Sequence, residues 1–479
     1  MAELRVRRIG RYDHWRTLPI NRSWCRGVFR GRGFFMTLRQ AAAPAKTITA
    51  AEAAALVQSG MWLDYFGTIN QPDAFDRALG ERITQLSDLK VRSTLSMRPR
   101  AFIEKDPEGR HAHMISLHMS GYDRRLHEQG RCSYTPVNLG EISDCYRRFI
   151  APVDMLILKA RPLENGCFNI GPTNVWLRAI MERARLVVIE TCSALPHAIG
   201  EGTDIHLSEV DYIIEGDDSP VPELPNAPVT DVDRAVARLI MAEIDDGACL
   251  QIGIGGMPNA VCAMLAQAGI KDLGVHTEML TDGIAELYRA GLITGAAKAL
   301  DPGKLVYCFA AGTKPLYDTI DRNPDLSCRP VEYTNSPHIV MQNPKATAIN
   351  STTQIDLTGQ AASESDGNRH LTGTGGQAQF VRGAYASDGG KSFICLPSTY
   401  DKKGERRSRI VFNLTEGNIV TTTRADMMYV VTEYGIVNLK GKSVPERAQA
   451  LIRLAHPDFR EGLERQAHEH RLIPRGFSF

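Results

Sequence analysis

"AAEAAALVQSGMWLDYFGTINQPDAFDRAL" (residues 50–79) and "AVARLIMAEIDDGACLQIGIGGMPNAVCAML" (residues 235–265) decide the fold, because each repeats the plan of the other. Both run from a helical pattern through a glycine turn (Gly60, Gly247) into an apolar strand. A glycine-containing loop, a proline (Pro72, Pro258) and a second helical pattern follow. Pro258 suits the first turn of its helix. Val261, Met264, Leu265 and Ala268 then recur at helical spacing, and Gly269 ends the run. Next come "LKVRST" (89–94) and "LGVHTE" (273–278), which align without a gap. This strand–helix rhythm, met twice, predicts two related open α/β domains with mostly parallel sheets.

Between the copies lies "EGDDSPVPELPNAPVTD" (215–231), whose four prolines deny it helix or central strand. The expected organisation is an N-terminal extension over 1–45, a domain over 46–214, a linker over 215–231 and a second domain over 232–479. The extension opens with an Arg-rich run over residues 1–35 in which Glu3 and Asp13 are the only acids. It lacks the serine enrichment and clear amphipathic period of a transit peptide and is expected to be disordered, with Met36 as an alternative start.

Composition narrows the function. At 479 residues the chain exceeds what one core usually serves. A formal net charge of +1 gives no whole-surface reason to bind nucleic acid or a membrane, and no apolar run approaches the roughly 20 residues that span a bilayer. The ten cysteines form no CxxC pair, so no metal site is indicated, and their scatter in apolar runs suits a reducing cytoplasm.

Four stretches carry chemistry. "QIGIGGMPNAV" (251–261) puts glycines between a strand and a helix N-terminus. There backbone approaches a ligand and free N–H groups face negative charge. It fails as a dinucleotide fingerprint because Pro258 stands where the third glycine belongs; an oxyanion-binding turn and a plain tight turn both remain open. "TGTGGQAQFVRGA" (372–384) reads as a loop against which a large ligand lies, or as a flexible hairpin. "LPSTYDKKGERRSRIVFNL" (396–414) clusters Lys402, Lys403, Arg406, Arg407 and Arg409 among hydroxyls, a solvated face or a phosphate site. "YVVTEYGIVNLKGKS" (429–443) ends an apolar strand on Glu433, a surface turn residue or a carboxylate that assists proton transfer. Glu278, in "GVHTEML" (274–280), has no basic neighbour in sequence, and the first copy carries Thr94 in its place. A carboxylate serving the fold would be expected in both copies, so Glu278 reads as a site residue.

Together these stretches resemble the acetyl-CoA hydrolase/transferase family, in particular its 4-hydroxybutyrate (butyrate) CoA-transferase branch. The resemblance runs from Ala50 to Phe459 and is densest over "DLGVHTEMLTDGIAELYRAGLIT", "INSTTQIDLTGQAASESDG", "GTGGQAQFVRGA", "SRIV", "VTEYGIVNLKGK" and "ERAQALIRLAHPDFRE". It implies a homodimer of the CoA-transferase fold with the active site near the domain interface. It makes Glu278 the nucleophile and Asn350 and Glu433 supporting residues. Gly255, Gly256 and Met257 match one side of the oxyanion and CoA pocket, and Gly375 and Gly376 the other. Ser398, Lys402 and Arg409 are expected at the CoA phosphates. The implied substrates are an acyl-CoA and a small carboxylate. CoA passes through a covalent glutamyl-CoA thioester, with no metal and no permanently bound cofactor.

"ETCSALPHAIG" (190–200) and the His/Arg-rich stretch 97–130 depart from the family pattern. One of Arg98, Arg100, His113, His118 or His197 is therefore a candidate to hold a second carboxylate, as in succinyl or itaconyl groups. The rivals are a thioester hydrolase on the same scaffold, a nucleotide-binding oxidoreductase and a non-catalytic CoA-binding subunit.

Overall fold

The computed structural model describes residues 39–150 and 153–476. Two eight-stranded sheets dominate it, and both are wound in the same order. In the first, Trp62–Gly67 is central, and Leu89–Thr94, Ala112–Ser116 and Cys132–Tyr134 step outward on one side. The chain then returns to the other side of the central strand, where Val153–Ala160, Ala184–Thr191 and Tyr212–Ile214 follow. In the second, Cys249–Ile252 is central and Gly274–Leu280, Leu305–Ala310 and Leu326–Cys328 step outward. Ala346–Ser351, Lys391–Cys395 and Tyr429–Thr432 lie on the return side. All these neighbours pair in parallel. Only the edge strands differ: Lys46–Thr47 joins the first sheet in parallel and Gly435–Asn438 closes the second as an antiparallel hairpin. The near-continuous apolar runs "MLILKA" and "LVYCFA" are buried along their length, as strands covered on both faces must be.

The copies differ in length by one residue between the glycine turn and the proline. Gly60 and Pro72 are twelve positions apart, Gly247 and Pro258 eleven. The extra residue is a β-bulge: pairing runs Asp64↔Arg92 and then Gly67↔Thr94, a slip of one on the Trp62–Gly67 strand.

Both sheets lie within one compact unit, residues 38–479. Backbone bonds join the halves: the Asn174 N–H donates to the Cys308 carbonyl (2.8 Å), Ala310 to Pro172 (2.8 Å) and Val331 to Val175 (2.9 Å). One hydrophobic cluster draws Phe66, Trp176 and Val175 from the first half and Phe309 and Val331 from the second. The proline-rich run holds no helix or strand until Thr230 caps the helix Asp231–Met241. Of the N-terminal extension, residues 1–38 lie outside the described residues. Residues 39–45 are not loose as expected: Arg39 pairs with Asp211 (2.5 Å) and the Ala41 N–H donates to Ser208 (2.9 Å). Among the described residues no helix is long and apolar enough to cross a membrane.

Candidate active site

Because both sheets are parallel, the loops that follow their strands gather at one edge, and the chain's return beside each central strand opens a crevice there. Glu278 projects from this edge of the second sheet. Gly67, Thr68, Thr94, Leu95, His118, Leu139, Val175 and Trp176 of the first half close a cavity over it, with Phe309 of the second. The repeat thus brings Thr94 and Glu278, the matching positions of the two copies, to one cavity. Three lining or adjoining residues hold left-handed backbone without being glycine: Phe66 (φ 59°), Thr68 (φ 51°) and Leu95 (φ 48°). Each costs on the order of 1–3 kcal/mol, and such residues cluster where function demands them.

Two donors grip the Glu278 carboxylate. Asn335 Nδ2 donates to Oε2 at 2.5 Å, and the Gly376 N–H donates as well. Asn335 is fully buried, and Thr334 Oγ1 donates to its Oδ1 (3.0 Å), which orients the amide so that its N–H₂ faces the carboxylate. A Cβ at Gly376 would collide with Glu278 Oε2 and Asn335 Nδ2, so the glycine leaves room for this pairing. Burial pushes the Glu278 pKa up to about 7, against the pull of these two hydrogen bonds. The loop Thr372–Gly376 that carries Gly376 leans on the first half. Its Gly375 carbonyl accepts from the Leu139 N–H (3.0 Å), and Thr374 and Thr372 bond Tyr134 and His118.

The remaining predicted residues lie further along the same edge. Asn350 and Gln251 exchange two side-chain hydrogen bonds (2.9 and 3.2 Å) across the central and return strands, beneath the turn that bears Gly255, Gly256 and Met257. Gly255 has φ 125°, and the helix Gly256–Leu265 begins with no side chain capping it. Its first-half counterpart shows what such a turn does with an anion. There the N–H groups of Asp73, Ala74 and Phe75 all donate to the Glu190 carboxylate at 2.9–3.0 Å.

Glu433 follows the strand four places from that of Glu278. At one strand spacing per step this is about 19 Å, out of reach of the Glu278 carboxylate. Glu433 instead accepts from the Ser398 N–H (2.9 Å) and hydroxyl (2.6 Å). Ser398 is fully buried, so its expected contact with phosphate is not made by this geometry. Lys402 stands exposed on the hairpin Thr399–Lys402/Glu405–Ser408, beside Asp366 (3.4 Å). Arg409 donates to the Thr353 carbonyl (2.8 Å) and lies over the Tyr400 ring.

Of the five candidates for holding a second carboxylate, four do not line the Glu278 cavity. Arg98 and Arg100 both pair with Asp73, His113 bonds Ser133, and the His197 backbone is tied to Asp321 and Arg322. Only His118 reaches the Glu278 cavity, and burial pushes its pKa down to about 4, so it is neutral there. Asn335 was missed by the sequence reading; "YTNSP" (333–337) carries no spacing that marks an active-site amide.

Family models for the acetyl-CoA hydrolase/transferase N-terminal and C-terminal domains match residues 37–225 and 312–467. Glu278 falls between the two matched segments. Butyryl-CoA:acetate CoA-transferase of Anaerostipes caccae is 44% identical, over 88% of this chain and 96% of that protein. Among solved structures, RipA of Yersinia pestis is 36% identical with a TM-score of 0.81, over 89% of this chain and 98% of that one. 4-Hydroxybutyrate CoA-transferase of Porphyromonas gingivalis is 32% identical with a TM-score of 0.72 over the same shares.

Proposed function

The chain belongs to the acetyl-CoA hydrolase/transferase family, and on that footing we propose that it is an acyl-CoA:carboxylate CoA-transferase for short-chain monocarboxylates, with Glu278 as its nucleophile. One observation carries the reading: a single carboxylate, held by Asn335 and the Gly376 N–H, in a mostly apolar cavity shared by the two halves.

A carboxylate is a weak nucleophile in water, and withdrawal from solvent strengthens it. A Glu278 oxygen attacks the thioester carbonyl, the C–S bond breaks, and an acyl-glutamyl anhydride and CoA thiolate result. The thiolate then attacks the glutamyl carbonyl and expels the first carboxylate, which leaves with the bridging oxygen. Glu278 is now a thioester of CoA. An acceptor carboxylate attacks it and the two steps run in reverse, which restores the glutamate and yields the new acyl-CoA. Each attack on the glutamyl carbon puts negative charge on a glutamyl oxygen, and Asn335 and the Gly376 N–H, which already donate to this carboxylate, are in place to stabilise the tetrahedral intermediates. The glycine turn at 255–257 and the Asn350 and Lys402 positions follow along the edge, which supports an extended ligand such as CoA there.

The cavity favours monocarboxylates over the succinyl or itaconyl alternative. Leu95, Leu139, Val175, Trp176 and Phe309 are apolar, no Lys or Arg lines it, and His118 is neutral. The same apolar walls favour transfer over hydrolysis, since they keep water from both covalent intermediates. A homodimer in the cytoplasm belongs to this reading; the nine described cysteines, all free, support a reducing compartment. The test is to mix the protein with butyryl-CoA, quench with borohydride and analyse the peptide that contains Glu278. A reduced glutamyl residue is expected. An unmodified Glu278 during steady, acceptor-independent loss of butyryl-CoA would instead make the protein a hydrolase.

A further inference from the structure

The bulge in the first sheet is held by a pair of side chains for which the reaction as described has no use. Asp64 is 1% exposed and sits one turn of chain before the cavity wall. Its Oδ1 accepts from the Phe66 N–H at 2.8 Å, and its Oδ2 accepts from the Tyr146 hydroxyl. Arg92, across the strand pair from Asp64, faces the same carboxylate and lies over the Tyr146 and Trp62 rings. A buried carboxylate costs several kcal/mol unless it is satisfied, so its retention beneath a strained turn needs a reason.

The consequence of that grip is local. Phe66 is the left-handed residue at the bulge, and its ring meets Trp176 edge-on (6.3 Å between centroids). Gly67 follows so close to the Thr94 carbonyl that a Cβ would stand 3.0 Å from it. Thr68, also left-handed, bonds Thr173 through the paired hydroxyls (2.9 Å). Gly67, Thr68, Thr94 and Trp176 all line the cavity over Glu278. The second copy lacks the extra residue, and Gln251, the counterpart of Asp64 by the repeat, bonds Asn350 beneath its own loop.

We propose that Asp64 and Tyr146 are positioning residues that set the depth of the acyl cavity: they pin the Phe66 bulge so that Gly67, Thr68 and Trp176 form its end wall, and so fix which acyl chain length is accepted. Neither touches the substrate. The inference rests on the CoA-transferase reading and deepens it.

The test compares acetyl-, butyryl- and hexanoyl-CoA as donors to acetate for wild type, Tyr146→Phe and Asp64→Asn. Loss of the clamp lets the wall recede. A methylene in an apolar pocket is worth about tenfold or more in kcat/KM, so the hexanoyl/butyryl ratio is expected to rise about tenfold in Tyr146→Phe. Asp64→Asn keeps an oxygen for the Phe66 N–H and is expected to shift the ratio less. A purely structural role would lower kcat/KM for all three donors alike; an unchanged ratio in folded Tyr146→Phe, checked by circular dichroism, overturns the proposal. Should wild type transfer no CoA, or leave Glu278 unlabelled, the functional reading itself fails, which this design separates from failure of the clamp.

Discussion

At the scale of single residues, Glu278 and Asn335 carry the account. As the proposed nucleophile, Glu278 must be ionised, and burial pushes its pKa up to about 7. Activity is therefore expected to rise with pH through about 7; His118, the other titratable group at the cavity, is already neutral above about 4 and adds no limb in that range. Stability runs the other way. The folded state binds this proton more tightly than the unfolded chain, so the contribution is most favourable below about 4.5 and is lost as pH climbs to 7. Glu278→Gln is thus expected to unfold at higher denaturant than wild type at pH 8, by up to about 3 kcal/mol, with no advantage at pH 4. The same variant should lose at least about 10³-fold in kcat. Asn335→Ala should lose about 10²-fold in kcat. Because the Asn335 bond lowers the Glu278 pKa, its loss should also move the pH midpoint upward, a shift that a simple packing defect would not produce. Glu278 was legible in the sequence because the repeat exposed it: the partner copy carries Thr94. Asn335 was not, since its role arises from a short helix, Val331–Thr334, docked beneath the Glu278 strand by contacts distant in sequence.

At the scale of elements, the two glycine loops were legible and their division of labour was not. The loop at 372–376 contacts Glu278 directly, whereas the turn at 253–257 is one strand away and held from below by Gln251 and Asn350. Gly376→Ala requires no strained backbone, since φ is −103° there. Its added methyl meets the carboxylate and Asn335, so activity should vanish while the circular dichroism spectrum stays that of wild type. The hairpin makes a different prediction. Lys402 and Arg406 are exposed on it, so Lys402→Ala combined with Arg406→Ala should raise KM for acyl-CoA several-fold, more at low salt, and leave kcat unchanged. Equal KM at all ionic strengths would place the CoA phosphates elsewhere. The pairing of Ser398 with Glu433 could not be read from sequence: it joins two loops 35 residues apart, and strand order, which one sequence does not display, sets the distance of Glu433 from Glu278.

At the scale of the molecule, the repeat predicted two mostly parallel sheets, and both have the same winding order. A site near the domain interface was expected from the resemblance; which first-half residues close the cavity over Glu278 was not legible in the sequence. Eight first-half residues, Thr94, Leu95, His118 and Trp176 among them, line the cavity over Glu278. The homodimer is expected to show as a solution mass of about 106 kDa by light scattering, twice the 52.9 kDa of the chain; a mass of 52.9 kDa would remove it from the account. In the proposed reaction CoA passes through Glu278 by two successive exchanges. Each full cycle leaves on Glu278 one oxygen taken from the acceptor carboxylate. The most direct measurement is therefore the mass of the Glu278 peptide after turnover of butyryl-CoA with acetate labelled in both oxygens with oxygen-18. Heavy oxygen in that side chain, absent when acyl-CoA is withheld, is the predicted result. Full turnover with Glu278 left unlabelled would contradict the account.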